Sequence, residues 1–215
     1  MWPLLRAINI DLLAQELIPG PEARLESYHC YVDRHGSVAG EFTGRKIRTY
    51  PASYGHTTAL EITDAPDVGR QGRDIVERLG LTGVAKLDFK RGRAGELHLL
   101  EINPRFTLWH HPGALAGVNI PALVHADLTG TPRPAVTRAR AGVRWCRVWR
   151  DLPAARAARV PLTAWLPWAL RCEAKSALSW RDPMPVVRST LHRLAAWHDT
   201  GDTEAFRRSP GWIGA

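Results

Sequence analysis

Two stretches near the middle of the chain carry hydrophobic and polar positions in the order typical of β-strands. Residues 86–90 alternate between polar and apolar side chains, and residues 96–105 are rich in aliphatic side chains until a proline ends the run. Gly92 and Gly95 lie between them and supply the flexible backbone that a chain reversal needs. The pattern predicts a β-hairpin whose two arms pair in antiparallel fashion.

Acidic side chains occur on both arms of this hairpin. Side chains alternate across a strand, so Glu101 and Asn103 share one face of the second arm. A turn centred on residues 94–95 would set Asp88 directly opposite Glu101, where two like charges destabilise a sheet unless a cation lies between them. The pattern indicates a metal site, and an exposed edge hairpin with solvated charges is the alternative.

The end of the second arm reads Glu-Ile-Asn-Pro-Arg over residues 101–105 and follows a strand that carries an acidic residue. This arrangement resembles the metal-binding hairpin of the ATP-grasp superfamily. The resemblance implies that magnesium, or manganese in its place, is held across the phosphates of ATP by Asp88, Glu101 and Asn103. It also implies that Arg105 binds the phosphoryl or carboxylate group of the substrate. Such roles suit these side chains, because magnesium prefers oxygen ligands and arginine binds phosphate through two hydrogen bonds.

An apolar segment near the start of the chain ends sharply at two prolines and a glycine. Residues 12–18 predict a strand, and residues 19–21 end it. The ATP-grasp resemblance makes this segment the hinge between two lobes. It implies that Gln15, Glu16 and Ile18 line the adenine of ATP and that Glu22 binds the ribose. A plain strand that ends at a Pro-Gly turn is the alternative.

A second hairpin is predicted from residues 25–32 and 37–42. Gly44 then punctuates the sheet, and the next four residues include three cations, which are costly to bury unless an anion is near. The resemblance implies that Lys46, and Arg45 as the second choice, point at a phosphate or at the substrate. A solvated edge strand blunted by charge is the alternative.

Helical signals follow each hairpin. Residues 68–79 predict a helix that packs on the sheet, and residues 120–128 predict another that begins after an asparagine cap and ends at a glycine. The expected fold class is α+β, with an antiparallel sheet packed against helices, as in the large lobe of ATP-grasp proteins. The adjacent histidines 110 and 111 have no further ligand at suitable spacing, so we predict no zinc site there.

Charge divides the chain near residue 130. Residues 1–130 carry 14 basic and 15 acidic side chains, whereas residues 131–215 carry 15 and 6, together with seven of the nine tryptophans. The predicted organisation is a lobe over residues 1–130 and a basic, mostly helical extension over residues 131–215 packed on the lobe. Arginine-rich composition is a weak signal for nucleic acid, so nucleic acid is not an expected partner.

The extension has its own pattern. Residues 143–149 predict a strand and residues 186–197 a final helix, and between them four apolar side chains recur at the spacing of one helix face: Trp165, Trp168, Ala169 and Cys172. We expect that face to dock on the lobe. The Asp-Pro-x-Pro break at residues 182–185 resembles the carboxyl end of carbamoyl-phosphate-synthase-like ATP-grasp proteins.

The three cysteines show no Cys-x-x-Cys spacing, which argues against a disulfide framework and favours a reducing, cytoplasmic setting. No apolar run approaches the length of a membrane span, so no membrane partner is expected.

The resemblance implies an ATP-dependent carboxylate–amine ligase, in which ATP phosphorylates a small carboxylate and an amine attacks the acyl phosphate. Such ligases carry a small lobe with phosphate-contacting lysines before the hinge, and eleven residues cannot supply it. The sequence has no Gly-x-x-x-x-Gly-Lys motif that could bind phosphate in place of that lobe. We therefore expect a carboxyl-terminal lobe alone that needs an upstream lobe or subunit: a fragment, a mis-started frame, a split-enzyme subunit or a degenerate relative. The alternative is a non-catalytic ATP-grasp remnant or a basic module that binds a partner or polyanion.

Overall fold

The computed structural model describes residues 14–52, 55–175, 182–184, 187–188 and 191. In this part of the chain, seven strands form one sheet: β1 (Leu25–Val32), β2 (Val38–Tyr50), β3 (His56–Thr63), β4 (Gly83–Arg91), β5 (Leu97–Asn103), β6 (Arg144–Cys146) and β7 (Ala174–Lys175). Five α-helices accompany the strands: α1 (Pro66–Arg78), α2 (His110–Leu115), α3 (Ile120–Thr129), α4 (Val148–Ala157) and α5 (Leu162–Arg171). The α+β class expected from the sequence is confirmed.

The strands are arranged in the order β5-β4-β1-β2-β3-β6-β7. Every neighbouring pair is antiparallel except β6 and β7, which run parallel. Both predicted hairpins are present, because β1 pairs with β2 and β4 pairs with β5. The pairing of β1 with β4 joins the hairpins, so their central strands lie side by side.

Helix α1 covers one face of the sheet, as the sequence predicts. Val68 and Val76 of the helix pack in a buried cluster with Tyr28 and Leu87 of the sheet. A Cβ atom at Gly72 would lie 2.4 Å from the Tyr28 ring, so glycine is what allows the helix to approach this closely. The helix begins at a proline, which suits a first-turn position that needs no N–H donor.

On the opposite face, α2, α3 and the residues before them cover β2 and β3. Here Trp109 and Leu123 pack in a cluster with Phe42 and Leu60 of the sheet. Gly44 does not punctuate the sheet, and that expectation is wrong, because β2 continues through it to Tyr50. A Cβ atom at this position would lie 2.5 Å from Trp109 Cζ3, so the glycine admits the indole ring instead of ending the strand.

One strand predicted from the sequence is absent, and one strand of the sheet was not predicted. Residues 14–18 have no regular structure, so the strand predicted over residues 12–18 is wrong there, and residues 12 and 13 lie outside the described part of the chain. An apolar run becomes a strand only where a neighbouring strand can satisfy its backbone groups. Strand β3 was not predicted, although it joins β2 to β6 in the middle of the sheet.

The chain after residue 130 joins the same sheet. The strand predicted over residues 143–149 is shortened to β6, because α4 begins at Val148. The predicted helix face is confirmed in α5 and the residue after it, where Trp165, Ala169 and Cys172 are buried with Trp168 packed against them. The predicted division at residue 130 stays a prediction, and the final helix predicted over residues 186–197 lies mostly outside the described residues. Among the described helices, none has both the length and the apolar character that crossing a bilayer requires.

Candidate functional site

The two predicted carboxylates face each other across the β4–β5 hairpin. Asp88 lies directly opposite Glu101, and Lys86 lies directly opposite Asn103, which confirms the predicted register. The register shifts by one residue just after Asp88, and such bulges strengthen the local twist of a strand. Asp88 is only 2% exposed, whereas Glu101 is exposed. The pair therefore combines a recessed carboxylate with one at the open rim.

Both oxygens of the Asp88 carboxylate are engaged by donors of this chain. Lys86 Nζ lies 2.5 Å from Oδ2, and the hydroxyl of Ser27 on β1 donates to Oδ1 at 2.5 Å. Burial raises the pKa of the Asp88 carboxyl, but the Lys86 ammonium and the hydrogen bonds outweigh it, so the pKa lies below its ordinary value. Asp88 is thus held as a charged, partnered carboxylate in a buried position.

Lys46 on β2 reaches the same cluster of charges. Burial lowers the pKa of its ammonium, and the nearby Lys86 charge lowers it further. The carboxylates that oppose this lowering are those of Asp88, Glu22 and Glu101. These mutual effects show that five residues from four separate segments share one electrostatic environment. We call this group of Glu22, Lys46, Lys86, Asp88 and Glu101 the charged face.

The predicted hinge segment runs beside the charged face. Lys90, two residues beyond Asp88, donates from Nζ to the carbonyl oxygens of Gly20 at 2.9 Å and Pro21 at 3.0 Å. Gln15 Nε2 donates to the Leu100 carbonyl on β5 at 3.0 Å. The segment is therefore tied to both strands of the metal hairpin by side chains, which places its residues next to the charged face.

The residues assigned to adenine and ribose fall on or next to this segment. Gln15 and Glu16 are exposed, and Ile18 is partly buried. Glu22 lies in a short 3-10 turn that leads into β1, within electrostatic reach of Lys46. Their roles toward the nucleoside stay predictions.

Neither candidate arginine is among the five residues of the charged face. Arg45 is adjacent to Lys46 on β2, so the alternation of a strand directs it to the other side, where it pairs with Glu61 at 2.9 Å. Arg105 is exposed beyond the end of β5 and donates to the Phe106 carbonyl at 3.4 Å. The structure therefore brings together the predicted carboxylates and Lys46 but does not bring Arg45 to them, and the assigned roles of both arginines stay predictions.

Three residues of the site carried no role in the sequence-based expectation: Ser27, Lys86 and Lys90. The signal for Lys86 and Lys90 was present, because each lies two positions from Asp88 and so shares its face of the strand. Ser27 gave no such signal, since its contact with Asp88 joins positions 61 residues apart in the chain.

A buried aromatic pocket borders the charged face on the side of α2. His29 lies opposite Lys86 in the β1–β4 register and stacks on Phe42 with the ring centroids 4.5 Å apart. Lys86 Nζ lies 5.8 Å from the centroid of the Trp109 ring, and His110 meets His29 edge to face at 6.1 Å. Burial lowers the pKa of His29 well below its ordinary value and lowers that of His110 to about 4. Both imidazoles are therefore neutral near pH 7.

The hairpin residues fit a magnesium ion by their chemistry. Asp88, Glu101 and Asn103 offer carboxylate and amide oxygens, which are hard ligands of the kind that magnesium prefers. No three His, Cys, Asp or Glu side chains converge as ligands anywhere in the described ranges. A site with two carboxylates suits magnesium, because this ion keeps several waters and completes its shell with substrate phosphates.

A sequence model of an ATP-grasp family matches residues 10–149, which include the whole charged face and the hairpin. That match, over more than half of the chain, defines the protein as a member of the ATP-grasp class. In particular, the chain belongs to the family described as ATP-grasp in the biosynthetic pathway with Ter operon. No curated protein matches the chain.

Solved structures with similarity to the chain cover only part of it. The ATPase subunit of phosphoribosylaminoimidazole carboxylase from Aquifex aeolicus is 16% identical with a TM-score of 0.44, over 60% of this chain and 38% of that one. Biotin carboxylase from Campylobacter jejuni, in a complex with a form of ATP, is 15% identical with a TM-score of 0.48, over 60% of this chain and 30% of that one. The chain thus spans well under half of the length of these structures.

Proposed function

We propose that the charged face binds ATP together with magnesium, and that the chain serves as the nucleotide-binding lobe of a carboxylate–amine ligase. The observation that carries the proposal is the direct opposition of Asp88 and Glu101 on one sheet face, with Lys46 beside them. Membership of the ATP-grasp family supports the same reading. A reaction of this class transfers the terminal phosphoryl group of ATP to a small carboxylate, and an amine then displaces phosphate from the acyl phosphate.

Residues of the charged face and of the end of the hairpin have separate roles in this proposal. Asp88, Glu101 and Asn103 would hold the metal, which would supply positive charge to offset that of the ATP phosphates. Lys46 lies partly buried in the same electrostatic environment and would pair with a phosphate oxygen. Arg105, exposed just beyond Asn103, would clamp the carboxylate or the transferred phosphoryl group. Phosphoryl transfer needs positioning and charge neutralisation more than a protein nucleophile, and this set supplies both.

The nucleoside would lie along the tethered hinge segment. Gln15, Glu16 and Ile18 would line the adenine, and Glu22 would accept hydrogen bonds from the ribose hydroxyls. Two contacts support this placement, because Lys90 fixes the carbonyls of residues 20 and 21 next to the metal strand and Glu22 lies within reach of Lys46. A nucleotide bound there would have its phosphates directed toward Asp88.

Glu101→Ala tests the metal role. We expect the affinity for ADP in the presence of magnesium to fall at least about tenfold, because the metal loses a charged ligand, while the affinity without magnesium changes little. Isothermal titration of ADP with and without magnesium measures both values. Glu96→Ala is the matched control, since Glu96 is an exposed glutamate of the same hairpin whose partner is His98. Glu101→Ala with wild-type magnesium-dependent affinity would contradict the proposal.

A further inference from the structure

The Lys86 ammonium occupies a place that a metal ion would need. It lies 2.5 Å from Asp88 Oδ2, and the Ser27 hydroxyl takes the other oxygen of the same carboxylate. Lys86 is 8% exposed and Asp88 is 2% exposed, so the pair is shielded from water. A cation that coordinates Asp88 therefore meets a carboxylate whose two oxygens already have donors from this chain.

A buried carboxylate needs a partner, because an unpaired buried charge strongly destabilises the folded chain. In the absence of a metal, Lys86 supplies that partner from the same strand. When a divalent cation arrives, two positive charges would compete for Asp88, and they would repel each other at close range. The ammonium and the metal therefore exclude each other at Asp88 Oδ2.

We propose that Lys86 is a resident counter-ion of Asp88 that the metal displaces, and that this exchange couples metal binding to nucleotide binding. The inference rests on the proposed function, since it takes Asp88 as a metal ligand. Metal alone binds weakly, because displacing Lys86 takes an ammonium that is 8% exposed away from the carboxylate that balances its charge. A nucleotide supplies phosphate oxygens to which the displaced ammonium can transfer, so each ligand strengthens the binding of the other.

The surroundings of Lys86 give the displaced ammonium somewhere to go. Its Nζ is 5.8 Å from the centre of the Trp109 ring, whose π face attracts cations. Asn103 lies opposite Lys86 in the β4–β5 register, and it is the last residue of β5, two residues before Arg105. A modest rotation of a flexible lysine side chain would thus carry the charge from Asp88 toward the open side of the charged face.

The test is a titration of Mn²⁺ followed by electron paramagnetic resonance, with and without ADP. Lys86→Gln keeps a hydrogen-bond donor for Asp88 and removes the charge. We expect it to bind Mn²⁺ without ADP at least about tenfold more tightly than the wild type, and to show a smaller gain in Mn²⁺ affinity when ADP is added. In the titration without ADP, Lys90→Gln is the control, since it removes an equal charge from the same strand and its ammonium donates to the carbonyl oxygens of Gly20 and Pro21.

The outcomes separate this inference from the proposed function. Equal or weaker Mn²⁺ binding by Lys86→Gln, beside a wild type that binds Mn²⁺ with ADP, would overturn the exchange alone. A wild type that binds Mn²⁺ neither alone nor with ADP would overturn both proposals. A gain of the same size in Lys90→Gln would show that only the net charge of the strand matters and would also overturn the exchange.

A thermal measurement covers a variant that is too unstable for titration. Without Lys86, Asp88 loses the ammonium that lies 2.5 Å from its Oδ2, so Mn²⁺ should raise the midpoint of thermal unfolding more in Lys86→Gln than in the wild type. Scanning fluorimetry with and without Mn²⁺ reads this difference directly. An equal or smaller rise in the variant would contradict the exchange.

Discussion

Single buried side chains set how the site tolerates acid. His29 and His110 are buried, and within the described part of the chain neither ring nitrogen of either imidazole has a hydrogen-bond partner. The groups that face them are largely aromatic, with Lys86 as the charged neighbour of His29. A protonated imidazole in this pocket would lack both water and a counter-charge. Both histidines are therefore held in the neutral form by the folded chain.

This burial predicts a loss of stability in mild acid. The pKa of His110 is lowered by burial from 6.5 to about 4, so between these values the unfolded chain binds more protons than the folded one. The contribution of His110 is fully present above pH 6.5 and is lost as the pH falls toward about 4. The free energy of unfolding should fall when the pH is lowered from about 7 to about 5. We expect this fall to be about 2 kcal/mol smaller in His110→Phe than in the wild type.

Urea unfolding at the two pH values measures this difference. His111→Phe is the control, because His111 is the exposed neighbour in the same helix. Equal pH dependence in His110→Phe and the wild type would show that His110 titrates normally in the folded chain.

At this scale, prediction from sequence succeeded where contacts are local. Asp88 and Glu101 belong to one short hairpin, so the strand pattern and the turn fix their opposition. Ser27 could not be found in this way, since it meets Asp88 only through the pairing of β1 with β4. The position of Lys46 near the carboxylates was predicted from the family resemblance. The adjacent Arg45 lies on the other side of the sheet, because successive side chains of a strand alternate.

One buried carboxylate joins elements from both halves of the chain. Asp151 of α4 is fully buried and accepts hydrogen bonds from Thr58 of β3 and the Trp165 indole of α5. It also pairs with Arg48 of β2, with Nε at 2.9 Å and Nη2 at 2.6 Å. Two strands and two helices thus meet at a single side chain.

Asp151→Ala should destabilise the fold by about 3–5 kcal/mol, because it leaves the largely buried Arg48 guanidinium without a counter-charge. Chemical denaturation measures the change. Asp64→Ala removes a carboxylate that also pairs with an arginine, Arg138, but there the two side chains are 52% and 78% exposed. That control should cost no more than about 1 kcal/mol. A similar small loss in both variants would mean that Asp151 does not hold these elements together.

Element prediction failed where tertiary pairing decides the structure. The segment at residues 12–18 has strand-like composition, yet its described residues form no strand, and Gln15 instead donates a side-chain hydrogen bond to the Leu100 carbonyl. Helix α1 was predictable because its apolar stripe, starting proline and closing glycine all agree. Strand β3 was missed, since its eight residues mix threonines with apolar residues and become a strand only between β2 and β6.

Across the whole molecule, part of the positive charge that follows residue 130 is engaged in ion pairs. Four arginines of this region pair with carboxylates: Arg133 with Asp33 and Asp127, Arg138 with Asp64, Arg144 with Glu61, and Arg140 with Glu173 of the same region. Tryptophans 145 and 165 of this region are buried in the core. Part of the basic and aromatic character that suggested a polyanion-binding module thus has a structural use, and binding of a polyanion stays a prediction without support from these contacts.

The openness of the charged face predicts the activity of the purified chain. Glu101 and Arg105 are exposed, so water would reach a triphosphate bound there and weaken its ionic contacts. We expect weak, magnesium-dependent binding of ATP and no ligase turnover unless a second lobe, in cis or in trans, covers the face. A phosphate-release assay with ATP, magnesium and a panel of amino acids is the measurement. Robust turnover by the purified chain alone would contradict this expectation.

The two ends of the sheet limit how molecules can join one another. An unpaired strand edge is a template on which a further strand can add. At one end, the Leu100 carbonyl of β5 is bonded to Gln15, and at the other, β7 contributes just two residues in the described part of the chain. The described part of β7 therefore offers little ladder to a neighbour, whereas β5 is a seven-residue edge on which the Gln15 side chain occupies the Leu100 carbonyl. A strand that adds to the sheet at β5 would have to displace Gln15.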